Sequence, residues 1–534
     1  MFSSKVNLLQ LTALMLETSI DKVVVCPGSR NAAIVHTFKE AGLDCYEVTD
    51  ERSAGFFALG LVEANGGKPV AVCCTSGSAV VNLAPAVVEA YYRPLPLFVV
   101  TADRPAMWIG QMDGQTMVQP NVFEKYVAHS VTLPEPRDDE EQWYCNRLIN
   151  EALLAMNKTG RPVHVNVPLT EPLFDFTAES LPCQRLVKHV RPSNIEPQSI
   201  DLDIKSQYRR KMIVVGQLTP EVARRCCPML DALAHSGWVV LAEALSNLHI
   251  APSLREAVVG NFDDILAADT PRIAPELLVT MGGHIVSKRL KAYLRTNKAS
   301  VHYHVSPNGE LADTYQSMTH LVETDEATML KALCDVDGGE KDEEFISQWQ
   351  CKTEQESMPL LETLFAKLSD KWVLHIGNSS VLRKVQRVFR GANEVYCNRG
   401  INGIEGSVSL AVGYWAGSKR PTMLVVGDLS FFYDQNGLWN RYVAKGEGNA
   451  PLRILIINNG GGQIFYGLKG LKASPYLDES IAASHKTSAE GIAKECGCSY
   501  LSASNEKEYE RAIGELVDMT NRGVMILEVF TQGF

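Results

Sequence analysis

The sequence predicts an α/β protein built from three doubly wound parallel-sheet domains. Its 534 residues are 46% hydrophobic and 21% charged, which is ordinary globular composition, and at about 100–200 residues per domain the chain has room for roughly three domains. Apolar runs of strand length alternate with helical patterns in three successive blocks, and each run closes on glycine, proline or a polar residue. Such alternation is typical of parallel sheets covered by helices on both faces.

The first block begins with MFSSKVNLLQLTALMLETSIDKVVV, in which leucines recur at helical spacing. This stretch lacks the basic start and the long apolar segment of a secretion signal, so we predict an amphipathic helix and a cytoplasmic protein. The runs KVVVCPGSRN, PVAVCCTSGS, LPLFVVTADRP and GRPVHVNVPL then predict strands. No stretch reaches the ~18 uninterrupted apolar residues of a membrane span.

Two polar segments divide the rest of the chain. RPSNIEPQSIDLDIKSQ predicts a linker, and CDVDGGEKDEEF, which is acidic and contains glycine, predicts a second one. Between them lie KMIVVGQLTPEVARR, GWVVLAEALS and ELLVTMGGHIVSKRL, which predict a middle α/β block. The third block repeats the pattern of the first with KWVLHIGNSS, NEVYCNRGINGIEG, TMLVVGDLS, RILIINNGGGQIF and GVMILEVF.

Charge and cysteine content narrow the class of partner. A net charge of -11 argues against nucleic acid or an anionic membrane as the main partner, although it leaves room for an anionic small molecule. The thirteen cysteines lack zinc-site spacing, which favours reduced and mostly buried thiols. His36, His129 and His164 stand apart from one another in the first block, and we predict structural roles for them.

Two strands of the third block end on polar residues. MLVVGDLSFFYDQNG breaks at Asp428, and LRILIINNGGGQIF ends on Asn459 and three glycines. Ligands of open α/β sheets bind beyond the carboxyl ends of the strands. Two oxygen donors beside a glycine-rich turn suit Mg²⁺ held together with a phosphate. Taken singly, each residue is better explained as a helix cap or a turn residue, whereas the pair on consecutive strands favours a metal–diphosphate site.

The first block offers a matching acid. In VTDERSAGFFALGLVEA, Glu51 lies where a strand gives way to a helix of small residues; alone, it is explained as a first-turn acid favoured by the helix dipole. Gly-Asp at one strand end followed by Asn-Asn at the next resembles the diphosphate and Mg²⁺ motif of thiamine-diphosphate enzymes, although Leu429 replaces the usual glycine. That resemblance implies that Glu51 contacts the aminopyrimidine ring and activates the cofactor.

Further motifs resemble one family of these enzymes, the 2-succinyl-5-enolpyruvyl-6-hydroxy-3-cyclohexene-1-carboxylate (SEPHCHC) synthases of menaquinone biosynthesis. They are CPGSRN, TADRP with a later Gly-Gln, GNSSVLR, NRGINGIEG and GDLS…NNGGGQIF, in the family's order along the whole chain. The resemblance implies a transferase that decarboxylates 2-oxoglutarate and adds the resulting succinyl carbanion in 1,4 fashion to isochorismate. It also implies thiamine diphosphate with Mg²⁺ or Mn²⁺, and a homodimer or homotetramer with active sites between subunits.

The resemblance implies a role for individual residues and domains. Facing isochorismate are Ser29, Arg30, Arg104, Gln115 and Lys288; around the succinyl group are Ser379, Arg383 and Arg399. Contacting the cofactor are Glu51, Ile404, Asp428 and Ile464; the metal ligands are Asp428, Asn459 and Gly461. Glu51, Arg383 and Arg399 are the catalytic residues, and Glu405 departs from the aspartate expected there. The domains are a pyrimidine-binding domain at 1–185, a central domain at 195–340 and a diphosphate-binding domain at 355–534.

The arginines also fit on physical grounds. Both substrates carry two carboxylates, which guanidinium groups bind in bidentate fashion, and Arg30, Arg104, Arg383 and Arg399 all follow strands in polar loops. Each could instead be a surface arginine paired with a nearby acid. Two other functions stay open: another thiamine-diphosphate carboligase such as acetohydroxyacid synthase, and a nucleotide-binding regulator or dehydrogenase, for which VTMGGHIVSKRL lacks the usual glycine pattern.

Overall fold

The computed structural model describes residues 1–188, 200, 202, 208–268, 272–350, 357–446 and 450–533. It contains three six-stranded sheets, and the strand pairs assigned in these ranges are parallel. The central strands are buried along most of their length, as expected for sheets covered by helices on both faces, whereas several edge strands are partly exposed. The predicted fold class is therefore confirmed.

The first sheet has the strand order β2-β1-β3-β4-β6-β5. Its strands are β1 (Lys22–Val25), β2 (Asp44–Glu47), β3 (Val70–Cys74), β4 (Leu97–Asp103), β5 (His129–Thr132) and β6 (Val163–Pro168). The accompanying helices are α1 (Val6–Glu17), α2 (Ala32–Glu40), α3 (Glu51–Ala64), α4 (Ser78–Asn82), α5 (Ala84–Tyr92) and α6 (Asp139–Thr159).

The second sheet has the strand order β12-β11-β10-β7-β8-β9. Strands β7 to β9 extend to one side and strands β10 to β12 to the other, which is the order of dinucleotide-binding folds. Its strands are β7 (Lys211–Val215), β8 (Val239–Ala242), β9 (Val258–Val259), β10 (Leu277–Met281), β11 (Val301–Val305) and β12 (His320–Val322). Its helices are α7 (Pro220–His235), α8 (Leu254–Ala257), α9 (Phe262–Ile265), α10 (Lys288–Thr296), α11 (Glu326–Val336) and α12 (Glu343–Ser347).

The third sheet repeats the order of the first, position for position, as β14-β13-β15-β16-β18-β17. Its strands are β13 (Val373–Ile376), β14 (Val395–Tyr396), β15 (Thr422–Gly427), β16 (Leu452–Asn458), β17 (Ser499–Ala503) and β18 (Val524–Phe530). Its helices are α13 (Pro359–Lys367), α14 (Ser380–Val388), α15 (Ser407–Ser418), α16 (Asp428–Tyr433), α17 (Arg441–Lys445), α18 (Glu490–Glu495) and α19 (Glu506–Leu516).

The chain forms two compact units. One combines Met1–Val190 with Asn398–Phe534, and the other is Arg191–Cys397. The domain boundaries at 185, 195, 340 and 355 stay predictions. Most of the first predicted linker, 191–207, lies outside the described residues.

Within the first unit, α3 and α15 cross at backbone contact. A Cβ atom on Gly60 would lie 2.1 Å from the carbonyl oxygen of Leu410, and one on Gly413 would lie 2.1 Å from that of Phe57. Neither glycine can be replaced without moving a helix, because no other residue leaves this space free. Phe57 and Trp415 belong to one hydrophobic core that spans the first and third blocks.

Two expectations from the sequence need correction. The acidic stretch at 334–345 is not a free linker: α11 runs to Val336, Lys211 forms a buried ion pair with Asp337 at 2.6 Å, and Phe345 is fully buried. Helix α1 forms as predicted, but it is enclosed rather than amphipathic. Its polar Asn7 and Gln10 are buried and donate to backbone carbonyls.

The predicted structural histidine and cysteines behave as expected. His164 is fully buried, its ring nitrogens contact the hydroxyls of Thr101 and Ser130, and burial lowers its pKa to about 3. Twelve cysteines of the described chain carry free thiols, most of them buried. In the same ranges, no helix is long and apolar enough to cross a membrane.

Candidate active site

Asp428 organises the turn that closes the neighbouring strand. It is the first residue of α16, directly after β15, and its side chain is buried. Oδ2 accepts hydrogen bonds from the backbone N–H groups of Asn459 (3.0 Å), Gly460 (2.8 Å) and Gly461 (3.0 Å), and Oδ1 accepts from that of Leu429 (2.7 Å). The two strand ends singled out in the sequence are therefore joined by charge-assisted hydrogen bonds.

The same turn supplies oxygen atoms that fit a hard cation. Asn459 Oδ1 is buried and accepts no hydrogen bond within the described part of the chain. The Gly461 carbonyl accepts a hydrogen bond from the Gln463 N–H at 3.0 Å, and no other residue of the described ranges donates to it, which leaves a lone pair for a second partner. Carboxylate, amide and carbonyl oxygens together form the donor set that Mg²⁺ prefers, so the residues predicted as ligands fit such an ion.

His485 also contacts this turn, and no sequence motif pointed to it. Its Nδ1 accepts the Thr487 N–H at 3.1 Å, so in the neutral ring the proton lies on Nε2, 3.4 Å from Asp428 Oδ2. The ring packs edge-on against Phe432. His485 is separated from Asp428 along the chain by a whole strand and a loop, and no spacing rule connects them.

A buried acid supports the turn from behind. Glu528 in β18 is fully buried and accepts hydrogen bonds from Asn458 Nδ2 (2.7 Å), Ser488 Oγ (2.8 Å), Ala489 N–H (2.9 Å) and Tyr500 OH (2.7 Å). A single glutamate within the apolar run GVMILEVF was the signal that could have identified it, because a buried charge needs several partners.

Glu51 lies at the corresponding end of the first sheet. It is the first residue of α3 and half-buried, and Asp50 caps the helix by accepting from Ser53 N–H at 3.0 Å. Burial raises the pKa of the Cys26 and Cys74 thiols well above the usual range, and the nearby Glu51 carboxylate contributes to both shifts. The Glu51 carboxylate therefore lies within electrostatic range of the ends of β1 and β3.

The neighbours of Glu51 are fixed, whereas its own carboxylate is not. Asp50 Oδ2 accepts from Asn436 Nδ2 at 2.7 Å, and Arg52 donates to the Tyr433 carbonyl at 2.6 Å. Among the residues described, no hydrogen bond or ion pair reaches the Glu51 carboxylate, and none links it to Asp428. The residues before and after Glu51 thus bind helix α3 to the 433–436 segment, while the Glu51 carboxylate itself is available to a ligand.

The two predicted arginines of the first block are already paired. Arg30 is buried; it donates to the Leu169 carbonyl at 3.1 Å and forms an ion pair with Glu171 at 3.2 Å. Arg104 donates to the Gly114 carbonyl at 2.9 Å and pairs with Asp113 at 2.7 Å. An anionic ligand would have to displace or join these acids.

Gln115 and Ser29 are exposed, and Gln115 has a left-handed backbone with φ of 57°. Its backbone lies against Gly77, where an added Cβ would approach to 3.2 Å. Gln119, which the sequence did not single out, is fully buried and holds this loop. It accepts from Gly77 N–H at 2.9 Å and donates to Asn166 Oδ1 at 2.9 Å.

The remaining predicted residues are distributed over both units. In the unit Arg191–Cys397, Ser379 precedes α14 with φ of 72°, Arg383 is exposed one turn later, and Lys288 is the exposed first residue of α10. In the other unit, three predicted residues are half-buried: Arg399, Ile404 and Ile464. Their roles stay predictions.

Comparison with known families agrees with this arrangement. Residues 7–126 match the N-terminal TPP binding domain of thiamine pyrophosphate enzymes, 184–386 match the middle domain, and 375–529 match the C-terminal TPP binding domain. A 2-succinyl-5-enolpyruvyl-6-hydroxy-3-cyclohexene-1-carboxylate synthase from Bacteroides thetaiotaomicron is 46% identical, with 96% of this chain and 93% of the relative covered. The chain belongs to this synthase family.

Other SEPHCHC synthases show the same relationship. That of Bacteroides fragilis (strain ATCC 25285) is 44% identical over 99% of this chain and 97% of its own, and that of Flavobacterium johnsoniae is 34% identical over 96% and 94%. A benzoylformate decarboxylase from Polynucleobacter necessarius has a similar structure, with a TM-score of 0.70, 17% identity and coverage of 100% and 99% of the two chains. The predicted family and cofactor class, thiamine diphosphate, are confirmed.

Proposed function

We propose that this chain is a transferase of menaquinone biosynthesis. It decarboxylates 2-oxoglutarate with thiamine diphosphate and adds the remaining succinyl unit, in 1,4 fashion, to isochorismate, which releases SEPHCHC and CO₂. The near-full-length identity to synthases of that name carries this proposal. Bound thiamine diphosphate supplies the stabilisation of the negative charge that CO₂ leaves behind.

The geometry supports separate roles for the residues that would bind the metal and the residue that would activate the cofactor. Asp428, Asn459 and the Gly461 carbonyl would hold Mg²⁺ or Mn²⁺, and Asn459 Oδ1 is a buried acceptor without a hydrogen bond in the described ranges. Glu51 would share a proton with the aminopyrimidine ring, because its carboxylate is close to the strand ends and has no hydrogen bond or ion pair within the described residues. Ile464 follows the same turn as the metal ligands.

The arginines would separate the two substrates. Arg30 and Arg104 would bind isochorismate, helped by Ser29, Gln115 and Lys288, whereas Arg383 and Arg399 would bind 2-oxoglutarate with Ser379. This assignment is supported by the ion pairs of Arg30 with Glu171 and of Arg104 with Asp113, because each guanidinium group already binds a carboxylate.

We also propose a homodimer or homotetramer whose active sites combine Glu51 of one subunit with Asp428 of another. Glu51→Gln and Asp428→Ala would each be inactive alone. Refolded together, they should recover on the order of a quarter of wild-type activity if chains pair at random, because one site of each mixed dimer has neither defect. Inactive mixtures in which a tagged chain shows subunit exchange would contradict shared sites. A cytoplasmic location stays a prediction.

A direct assay tests the reaction itself. Purified protein with thiamine diphosphate and Mg²⁺ should release CO₂ from 2-oxoglutarate and form SEPHCHC only when isochorismate is present. Turnover of pyruvate together with bound flavin would favour an acetohydroxyacid synthase instead. Tight NADH binding without thiamine diphosphate binding would favour a dehydrogenase.

A further inference from the structure

Glu89 of α5 holds the loop that carries Arg399. Its side chain is almost fully buried, and its two carboxylate oxygens accept from two successive backbone N–H groups: Oε1 from Gly400 at 2.8 Å and Oε2 from Ile401 at 2.9 Å. A carboxylate that binds two adjacent peptides with both oxygens fixes the orientation of those peptides as well as their position. These peptides directly follow Arg399.

The same cluster reaches the other side of Arg399. Arg93, one turn after Glu89 on the chain, donates to Asn398 Oδ1 at 3.4 Å, and Asn398 directly precedes Arg399. Arg93 also pairs with Glu63 Oε1 of α3 at 2.5 Å and lies 3.9 Å from Glu89 Oε1. The loop is thus held on both sides of Arg399 by charged groups of the first block.

The loop fits this place without spare room. A Cβ atom on Gly400 would lie 2.8 Å from both the carbonyl oxygen and Oε2 of Glu89. Burial raises the pKa of Glu63, opposed by the guanidinium of Arg93, so the cluster contains two acids that compete for one buried cation. Removing one partner from such a cluster leaves a buried charge poorly compensated.

We propose that Glu89 is a positioning residue for Arg399, which it directs toward the carboxylate of 2-oxoglutarate. This rests on the proposed function, in which Arg399 binds that substrate. A long arginine side chain transmits any movement of its backbone to the guanidinium group, and misplacement of a binding group by about 1 Å can cost on the order of 10²-fold in rate. Glu89 itself touches no substrate.

The test uses Glu89→Gln in the full-length protein. The glutamine side chain keeps one acceptor oxygen but loses the second one and the charge, so one of the two hydrogen bonds from the loop N–H groups is lost. The KM for 2-oxoglutarate should rise by about 10-fold, as expected for losing a charged hydrogen bond, while the KM for isochorismate changes less than 2-fold. Amide hydrogen exchange at Gly400 and Ile401 should become faster.

Glu63→Gln is the matched control. It removes one carboxylate from the same buried cluster and from the same Arg93, but it has no bond to the Gly400 or Ile401 N–H groups. It should lower the melting temperature to a similar extent without changing the KM for 2-oxoglutarate. Equal KM changes in both variants would overturn the proposal, because the effect would then follow from the cluster as a whole.

A double-mutant cycle separates positioning from general loss of structure. In an Arg399→Ala background, adding Glu89→Gln should leave the KM for 2-oxoglutarate unchanged, since the side chain that Glu89 positions is gone. Additive effects, or faster exchange without any KM change, would overturn the proposal. Wild-type protein that does not turn over 2-oxoglutarate would refute the proposed function instead, and the exchange measurement would still report whether Glu89 holds the loop.

Discussion

The first and third sheets share one strand order, yet each holds the acid at its carboxyl edge in a different way. The Asp428 carboxylate accepts four backbone N–H groups and shapes the turn beside it. Glu51, at the start of α3, has no hydrogen bond or ion pair in the described residues, although both of its neighbours are anchored. The contrast indicates that Asp428 stabilises the turn before any ligand binds, whereas the Glu51 carboxylate is available for the contact with the cofactor that we propose.

The largest effect is expected from replacing Glu51, the acid without a hydrogen bond or ion pair in the described residues. Glu51→Gln should lower kcat by about 10²–10⁴-fold, the usual contribution of a proton-transfer group, while the Kd for thiamine diphosphate changes little. The amide is isosteric but cannot share a proton in the same way. Proton exchange at C2 of the bound cofactor, followed by NMR, should slow in parallel. Near-normal exchange in this variant would remove Glu51 from the activating role.

The arginines should show the next largest effect. Arg30→Ala and Arg104→Ala should raise the KM for isochorismate, and Arg383→Ala and Arg399→Ala that for 2-oxoglutarate, each by about 10–100-fold from the loss of a charged hydrogen bond.

Steady-state kinetics with each substrate varied in turn would measure these changes. Arg147→Ala, which breaks an exposed ion pair with Glu151 on α6, is the control and should change neither KM. If all four variants affected both substrates equally, the two-pocket assignment would be wrong.

A stability measurement sharpens the contrast between the two acids. In protein without cofactor, Asp428→Asn should lower the free energy of unfolding by about 2–4 kcal/mol, since charged hydrogen bonds from buried peptide groups are lost. Glu51→Gln should change it by less than about 0.5 kcal/mol, as for a side chain without partners. Denaturant unfolding of both apoproteins compares them directly, and equal losses would contradict the proposed difference.

The smallest effect is a pH dependence from Asp434, a buried acid with fewer partners than Asp428. Its carboxylate accepts hydrogen bonds from the backbone N–H and the hydroxyl of Ser409. Burial is the largest effect and raises the pKa of Asp434 to about 6, although these bonds and the Val408 backbone N–H act to lower it. The native state therefore binds more protons than the unfolded state between about pH 4 and 6, so this group's contribution to stability falls as pH rises through that range.

The measurement compares wild type with Asp434→Asn. Relative to wild type, the variant should become more stable by about 1–3 kcal/mol between pH 4 and pH 7, because asparagine does not titrate. The absolute offset between the two proteins reflects the altered bond to Ser409 and is not the quantity of interest. A difference that is flat with pH would show that Asp434 stays ionised throughout.

The part of the site that follows from strand order could be predicted from sequence. Asp428 and Asn459 end neighbouring parallel strands, and parallel strands bring their carboxyl ends to one edge. Glu89 and His485 could not be found in this way. Glu89 is a single acid in the helix APAVVEAYY, and its partner Gly400 lies 311 positions away. Contacts between residues so far apart in the chain depend on how the domains pack, and the local spacing of residue types carries no information about that packing.

The predicted linker at 334–345 failed for a related reason. Its charges indicated a solvated segment, but Phe345 is fully buried against the middle block and Asp337 neutralises a buried lysine. The burial of Phe345 and the ion pair of Asp337 together hold the segment. In helix α1, the polar residues Asn7 and Gln10 suggested an exposed face, but both are buried, and buried polar groups are stable when they are hydrogen-bonded.

The crossing of α3 and α15 affects how the chain is made. Phe57 and its neighbours on α3 leave the ribosome long before α15, because the whole unit Arg191–Cys397 is translated between them. About 340 residues separate the end of α3 from the start of α15, so at about 5–20 residues per second the interval is roughly 17–70 s. During this time the face of α3 that packs against α15 has no partner from the third block, and we expect this exposed apolar surface to favour aggregation of the nascent chain.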